Sequence, residues 1–339
     1  MLIIDPYHPK RRFNQKVSIK MTLINILSWI KRISVLKIRC SYRIHLLSMK
    51  APNKILALIR LMEDPDEGVF EHVRDQLLKY GSDAIPFLEN SWENEDYGLI
   101  FQSRVENLIH EIQFEEVQKQ LISWVESPEK DLLRGAIIIA KYQYAGLDES
   151  AIHEVIQQLR RDIWLELNDN MTAFEKVKIF NKVYFGIYNF HGDAKNFHSP
   201  MNSFINTVIE SRKGNPLSLC LIYSIVAQSL DLPIYGVNLP NHFILAYMDE
   251  NGAGQFMKEK NEYGVLFYIN PFSKGALLEA KDIEEFLRSL NLSQERSFFE
   301  PCSNSDILRR MLTNLISSFQ QVGNAEKVEE LTKLRNILV

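Results

Sequence analysis

The chain has 339 residues, 46% of them hydrophobic and 24% charged, so it can bury a sizeable core and has the composition of a globular protein with more than one domain. Its three cysteines, Cys40, Cys220 and Cys302, show no CxxC spacing, which argues against a disulfide framework and a structural zinc site and favours a reducing cytoplasm. The net charge is −4 and the sequence contains no phosphate-binding glycine loop, so nucleotide or nucleic-acid binding has little support.

Residues 1–48 form a basic tail. Residues 1–50 contain 11 Lys and Arg and one acid, Asp5, which leaves 28 basic and 42 acidic residues for the rest of the protein. The apolar run at residues 21–30 has about half of the ~20 residues that a transmembrane helix needs, and no signal-peptide cleavage site follows it. Three interpretations stay open for the tail: a disordered extension, a translation start later than Met1 (at Met21 or Met49), or a basic helix on anionic lipid. We expect membrane association only if the tail belongs to the protein.

Residues 49–146 have apolar residues at spacings of three and four, which is typical of short amphipathic helices. Asp64-Pro65-Asp66 and Gly81-Ser82-Asp83 interrupt the pattern, and each supplies a cap for the next helix. Two further segments, Leu108–Ile112 and Val117–Val125, continue the pattern without a regular period. We therefore predict a helical array that resembles HEAT repeats, with a generic helical bundle as the alternative.

Residues 147–298 begin with helical patterns and then change to strands. A charged helix is predicted from Asp148 to Leu167, and an aromatic-rich segment follows. Strand signals appear only after Pro233, as short β-branched or aromatic runs at Ile234–Leu239, Phe243–Met248 and Val265–Ile269. Helices followed by a few antiparallel strands predict an α+β fold that is mostly α.

Residues 299–339 predict a helical hairpin. One apolar helix face runs from Ile307 to Phe319, Gly323-Asn324 turns the backbone, and a second face runs from Val328 to Ile337. This pair of helices resembles a tetratricopeptide-like hairpin at the end of the sequence.

The most informative stretch runs from Gly214 to His242. Asn215 is suited to cap a helix, and Pro216 is suited to its first turn. His242 comes at the start of a predicted strand, and Asn270 ends a later one. Transglutaminase-like and papain-like folds assemble a Cys-His-Asp/Asn triad in this order. The helix N-terminus lowers the pKa of the thiol, the histidine transfers the proton, and the third residue fixes the imidazole tautomer.

Over residues 155–338 the sequence resembles the transglutaminase-like SirB-type proteins of bacteria, which share this domain with a eukaryotic F-box protein. The residues that carry the resemblance are Asn202, Ser203, Arg212, Gly214, Pro216, Pro240, Phe243, Pro271, Phe272, Gly275 and the segment Arg310–Leu315. Family members commonly have helical repeats before this domain and a tetratricopeptide-like end after it, in agreement with the patterns above.

The resemblance implies a missing nucleophile. Active transglutaminase-like domains open the helix with Gly-x-Cys, which places the nucleophile at Pro216, or at Leu217 if the loop is one residue shorter. Neither residue has a side-chain atom that can attack an acyl group. His242 matches the family histidine, and Asn270 stands where the usual residue is Asp. Cys220 lies one turn deeper in the same apolar helix, so we interpret it as a core residue.

Two hypotheses about function follow. The first is a non-catalytic interaction or regulatory protein that presents a groove to a protein partner, which the sequence does not identify. The second is a cysteine-dependent hydrolase or acyltransferase that uses Cys220, His242 and Asn270. No cofactor is predicted, and the spacing of His191, Asp193 and His198 in one loop does not favour a metal site.

Overall fold

The computed structural model describes residues 52–92, 98–249 and 263–338. The basic tail lies outside these ranges. The protein divides into two compact units between Ile112 and Gln113, whereas the sequence predicts a domain boundary at residue 146. The difference arises because the apolar helix Leu132–Gln143 contributes to the core of the second unit. The domain limits at residues 48, 146 and 298 stay predictions.

The first unit is helical. Its helices are α1 (Pro52–Leu61), α2 (Glu67–Tyr80), α3 (Ile85–Trp92) and α4 (Leu99–Glu126), the last of which continues past residue 112. Asp66 caps α2, as its sequence position suggests. The two amphipathic segments Leu108–Ile112 and Val117–Val125 both belong to α4, because nothing that breaks a helix stands between Ile112 and Val117. The helices are confirmed, and their arrangement as HEAT-like repeats stays a prediction.

The second unit contains eight further helices within the described residues. In sequence order they are α5 (Leu132–Gln143), α6 (Glu149–Trp164), α7 (Ala173–Asn181), α8 (Ile205–Ser211), α9 (Pro216–Gln228), α10 (Ala280–Ser289), α11 (Asn304–Gln321) and α12 (Ala325–Ile337). A π-helical turn, Lys182–Ile187, extends α7. The predicted C-terminal hairpin is confirmed as α11 and α12, and Gly323 turns between them with φ +75°. Each helix of the described ranges is too short or too polar to span a bilayer.

Two sheets complete the second unit. The short strands β1 (His191–Gly192) and β2 (Lys213–Gly214) pair in parallel. Four antiparallel strands follow in sequence order: β3 (Ile234–Leu239), β4 (His242–Met248), β5 (Val265–Asn270) and β6 (Ala276–Leu278). The expectation that strands begin only after Pro233 is wrong, because two-residue strands are too short to leave a periodic pattern. The α+β class, mostly α, is confirmed.

Helix α9 lies at the centre of the second unit. It packs against β3 and β4 on the sheet and against α6 and α11 from the helical layer. Its residues are buried almost all round, from Pro216 to Ala227 with the exception of Ile225. A helix that is apolar on every face belongs in the interior. The residues at its N-terminus are therefore held on several sides.

Candidate functional site

Buried polar side chains fix the N-terminus of α9. The Asn215 Oδ1 accepts a hydrogen bond from the Ser218 N–H at 2.9 Å, and the Ser218 Oγ accepts one from the Asn215 N–H at 3.0 Å. The Asn215 Nδ2 donates to the Ser203 Oγ at 2.9 Å. Pro216 takes the first helical position, where its missing N–H costs no helical hydrogen bond. The predicted cap is confirmed.

Asn202 and Gly214 contact the residues at the start of α9. The buried Asn202 donates from Nδ2 to the carbonyl of Asn196 at 2.7 Å, and its own carbonyl accepts from the Asn215 N–H at 3.4 Å. A Cβ on Gly214 would lie 2.5 Å from the Ser218 Oγ. The backbone at Gly214 therefore lies so close to the first turn of α9 that residue 214 has no room for a side chain.

His242 and Asn270 occupy neighbouring strands. His242 is the first residue of β4 and is half-buried, and Asn270 is the last residue of β5, the strand paired with β4. Burial lowers the pKa of His242, the nearby Arg310 charge lowers it further, and a hydrogen bond with the Asn270 side chain raises it in part. The net effect is a lowered pKa, so the imidazole is neutral at pH 7. Through its hydrogen bond with the imidazole, Asn270 can orient the His242 ring.

Cys220 is part of the core. Its side chain is 0% exposed, and its Sγ donates a hydrogen bond to the Phe243 carbonyl oxygen at 3.4 Å. Burial, with a smaller contribution from Cys302, raises the pKa of Cys220 well above the usual range. The thiol therefore stays protonated and shielded, which are the properties of an inert cysteine.

A cavity of about 360 Å³, called here the His242 cavity, lies at the N-terminus of α9. It is lined by Phe197, His198, Asn215, Pro216, Leu217, Asn241, His242, Phe243, Arg310, Asn314, Ser317 and Ser318. The cavity thus brings both candidate nucleophile positions, Pro216 and Leu217, to the same space as His242. Cys220 and Asn270 are not part of its lining. Its volume falls within the range of small-ligand sites.

The other residues of the family pattern shape the surroundings of the cavity. Pro240 and Asn241 connect β3 to β4, with Asn241 at φ +57°. Phe243 is 2% exposed and lines the cavity. After β5, Pro271 is buried and the Phe272 ring meets the Phe197 ring edge-on, with 6.0 Å between centroids. Aromatic rings therefore border the cavity.

Arg212 lies apart from the His242 cavity. It ends α8 in the left-handed conformation, with φ +61°. Its guanidinium lies 5.0 Å from the Phe190 ring centroid and 5.6 Å from that of Tyr188. Its Nη1 is buried without a hydrogen-bond partner in the described ranges, and burial lowers the pKa of Arg212. The contacts of Arg212 are those of a packing residue.

The polar residues of the 191–198 loop have separate neighbours. The His191 Nδ1 lies 2.8 Å from the Asn189 carbonyl oxygen, and Asp193 accepts a hydrogen bond from the Asn196 N–H at 3.2 Å. His198 is exposed and lines the His242 cavity.

Several cavity residues were missed by sequence reasoning. Arg310 and Asn314 belong to the Arg310–Leu315 segment that carries the family resemblance, but neither is predicted as a site residue. Both lie on α11 and reach the cavity because this helix packs beside α9. The signal that could have found Arg310 is a charged residue adjacent to the apolar face of an amphipathic helix.

Comparison with known proteins decides the domain type. Residues 150–313 match the family model described as the transglutaminase-like superfamily. This region is a transglutaminase-like domain. No solved structure matches the protein significantly.

Proteins from bacteria and from a eukaryote are similar in sequence to this protein. A UPF0162 protein of Xylella fastidiosa is 26% identical over 212 residues, which cover 61% of this sequence and 71% of that protein. F-box only protein 21 of Mus musculus is 25% identical over 250 residues, 73% of this sequence but 36% of that protein. The UPF0162 protein of Pasteurella multocida is 31% identical over 80 residues, or 24% of this sequence and 30% of its own. The expected kinship with bacterial proteins and a eukaryotic F-box protein is confirmed.

Removal of the Arg310 charge gives a first test of the cavity electrostatics. In the transglutaminase-like domain the Arg310 charge disfavours the imidazolium form of His242. We therefore expect Arg310→Gln to raise the pKa of His242, measured by NMR titration of the imidazole signals. Arg309→Gln is the matched control, because Arg309 pairs with Asp306 at 2.7 Å on the same helix and does not line the cavity. An equal pKa change in both variants would contradict the direct effect of Arg310.

Proposed function

We propose that the transglutaminase-like domain is a non-catalytic binding domain that engages a protein partner through the His242 cavity. The observation that carries this proposal is the state of Cys220. Its thiol is 0% exposed, donates to a backbone carbonyl and has a strongly raised pKa. A nucleophilic thiol needs access and thiolate character, and Cys220 has neither.

The residues at the cavity support the same proposal. Pro216 and Leu217, the two positions to which the family pattern assigns the nucleophile, have no nucleophilic atom in their side chains. His242 and Asn270 are still present, with a hydrogen bond between them that raises the imidazole pKa in part. A cavity with polar groups in its lining and without a nucleophile is suited to binding.

A role in protein interaction also agrees with the kinship to F-box only protein 21. That kinship covers 36% of the F-box protein, so it supports a role for the shared region alone. The partner is expected to be a protein segment small enough for one or two side chains to enter the cavity of about 360 Å³.

Thiol labelling of the folded full-length protein tests the proposal. We expect Cys220 to react at least about a hundredfold more slowly at pH 7 than an exposed thiol, since buried thiols are inert. The exposed reference is Ser317→Cys, which puts a thiol on the exposed residue 317 at the same cavity. Peptide mapping separates Cys220 from Cys302, whose pKa burial raises to about 12.

The competing hypothesis makes the opposite prediction. A hydrolase or acyltransferase that used Cys220, His242 and Asn270 would show rapid labelling of Cys220 near neutral pH, and His242→Ala would abolish it. Rapid, His242-dependent labelling would therefore overturn the proposed function. Labelling of Cys220 only after unfolding in urea would support it.

A further inference from the structure

The positive charge of Arg310 has no carboxylate partner within the described residues. Its Nη1 donates to the Asn238 Oδ1 at 2.9 Å and to the Leu239 carbonyl oxygen at 3.2 Å, and its Nε lies 3.4 Å from the Asn314 Oδ1. All three acceptors are neutral. These contacts fix the guanidinium and leave Nη2 as the nitrogen that a ligand can use. The adjacent Arg309, in contrast, has Asp306 as its counter-ion.

The whole lining of the His242 cavity shares this lack of negative charge. In the described part of the protein it includes Arg310, His242 and His198 but neither Asp nor Glu. Burial lowers the pKa of Arg310, and the charge of Arg310 in turn lowers the pKa of His242. Half-buried positive charge without compensation is unfavourable, so the cavity has an electrostatic reason to accept an anion.

We propose that the His242 cavity binds a carboxylate group of its ligand, with the Arg310 guanidinium as counter-ion and the His242 imidazole as a second polar contact. The proposal rests on the proposed function and names the chemical group that the cavity recognises. The carboxylate belongs either to the free C-terminus of a polypeptide or to an Asp or Glu side chain. The apolar lining from Pro216, Leu217 and Phe243 then contacts the aliphatic atoms next to it.

The balance of charges favours a carboxylate over a phosphate. Among the described residues, one permanent positive charge, that of Arg310 on α11, faces the cavity, and His242 on β4 is neutral at pH 7. A monoanion compensates this charge, whereas a phosphate dianion leaves one negative charge without a partner. The N–H groups of the Arg310 Nη2 remain available to donate to the carboxylate.

The test compares ligands that differ in charge at one group. The full-length protein is titrated with acetyl-Ala-Ala-Ala as the free acid, with the same peptide as its C-terminal amide, with acetyl-Ala-Glu-Ala amide and with inorganic phosphate. Imidazole NMR signals of His242 report binding at the cavity. We expect the free acid or the glutamate peptide to bind at least about tenfold more tightly than the neutral amide, and which of the two does so identifies the source of the carboxylate.

A bound carboxylate has a second signature. Because a negative charge beside the imidazole favours its protonated form, the pKa of His242 is expected to rise in the complex. Arg310→Gln is expected to reduce the affinity for the acid at least about tenfold, to that of the amide, while Arg309→Gln leaves it unchanged. If Arg310→Gln does not fold, comparing the affinities of the native protein for the acid and the amide still tests whether the cavity recognises a carboxylate.

Three results would overturn the inference: equal affinity for acid and amide, tighter binding of phosphate than of either carboxylate, or unchanged affinity in folded Arg310→Gln. None of them bears on the reactivity of Cys220, so they would remove carboxylate recognition and leave the proposed function standing. Rapid labelling of Cys220, conversely, would overturn the proposed function without affecting these titrations.

Discussion

Gly275→Ala is expected to lower the free energy of unfolding of the second unit by about 2–4 kcal/mol, because it combines backbone strain with overpacking. Gly275 has φ +74°, a conformation that costs little for glycine alone. A Cβ there would lie 2.3 Å from the Asn181 Oδ1 and 2.4 Å from its Nδ2. The Asn181 amide cannot withdraw easily, since it donates to the Gly275 carbonyl and accepts from the Tyr223 hydroxyl, both at 3.0 Å.

The matched control is Gly323→Ala. Gly323 has φ +75° and belongs to the same unit, but no heavy atom of the described residues beyond its two neighbours in the chain lies within 4 Å of its Cβ position. Backbone strain without a collision is expected to cost about 1 kcal/mol. Urea unfolding followed by circular dichroism compares the two variants on the same transition. An equal loss of unfolding free energy in both variants would show that the Asn181 side chain moves aside easily. It would contradict the tight packing of the turn after β5.

Strong local patterns made part of the fold predictable from the sequence. The strand Ile234–Leu239 was predicted with the bounds that the structure shows, because Pro233 and Pro240 flank a short β-branched run. The start of α9 was predictable for the same kind of reason, since Asn215 and Pro216 both prefer the beginning of a helix.

Other elements depend on contacts between distant residues. The parallel pair of β1 and β2 joins His191 to Lys213, and such two-residue strands have no pattern of their own. Helix α8 is short and ends at Arg212 in a left-handed conformation that arginine rarely adopts. Tertiary packing decides both features, so neighbouring residues in the sequence do not reveal them.

The candidate site was predictable in its parts and not in its electrostatics. His242, Asn270 and the α9 N-terminus follow from the order of helix and strands. The sequence could not show whether Cys220 faces His242 or the core, because this depends on the rotation of α9 against the sheet. It also could not show that Arg310 on α11 lacks a carboxylate partner among the described residues, since that is a property of the assembled cavity.

Pro216→Cys is expected to create a thiol that reacts quickly at neutral pH, in contrast to the slow reaction expected of the buried Cys220. Residue 216 is the first of α9 and lines the cavity with His242 and Arg310. The helix N-terminus and the Arg310 charge both stabilise a thiolate, so its pKa is expected to fall below the usual value. Labelling about tenfold faster than that of Ser317→Cys at pH 7 is the expected result.

Leu217→Cys is the companion variant, because the family pattern assigns the nucleophile to residue 216 or 217. The spacing Gly214-Asn215-Pro216 reproduces Gly-x-Cys with cysteine replaced by proline, so we expect the Pro216→Cys thiol to be labelled faster than the Leu217→Cys thiol.

His242→Ala in the Pro216→Cys background is expected to slow labelling, since the neutral imidazole would otherwise accept the thiol proton. A Pro216→Cys thiol no faster than Ser317→Cys would mean that the cavity has lost the activating geometry along with the nucleophile. Fast labelling of the Pro216→Cys thiol that depends on His242 would mean that the cavity can activate a thiol and that only the cysteine side chain is missing.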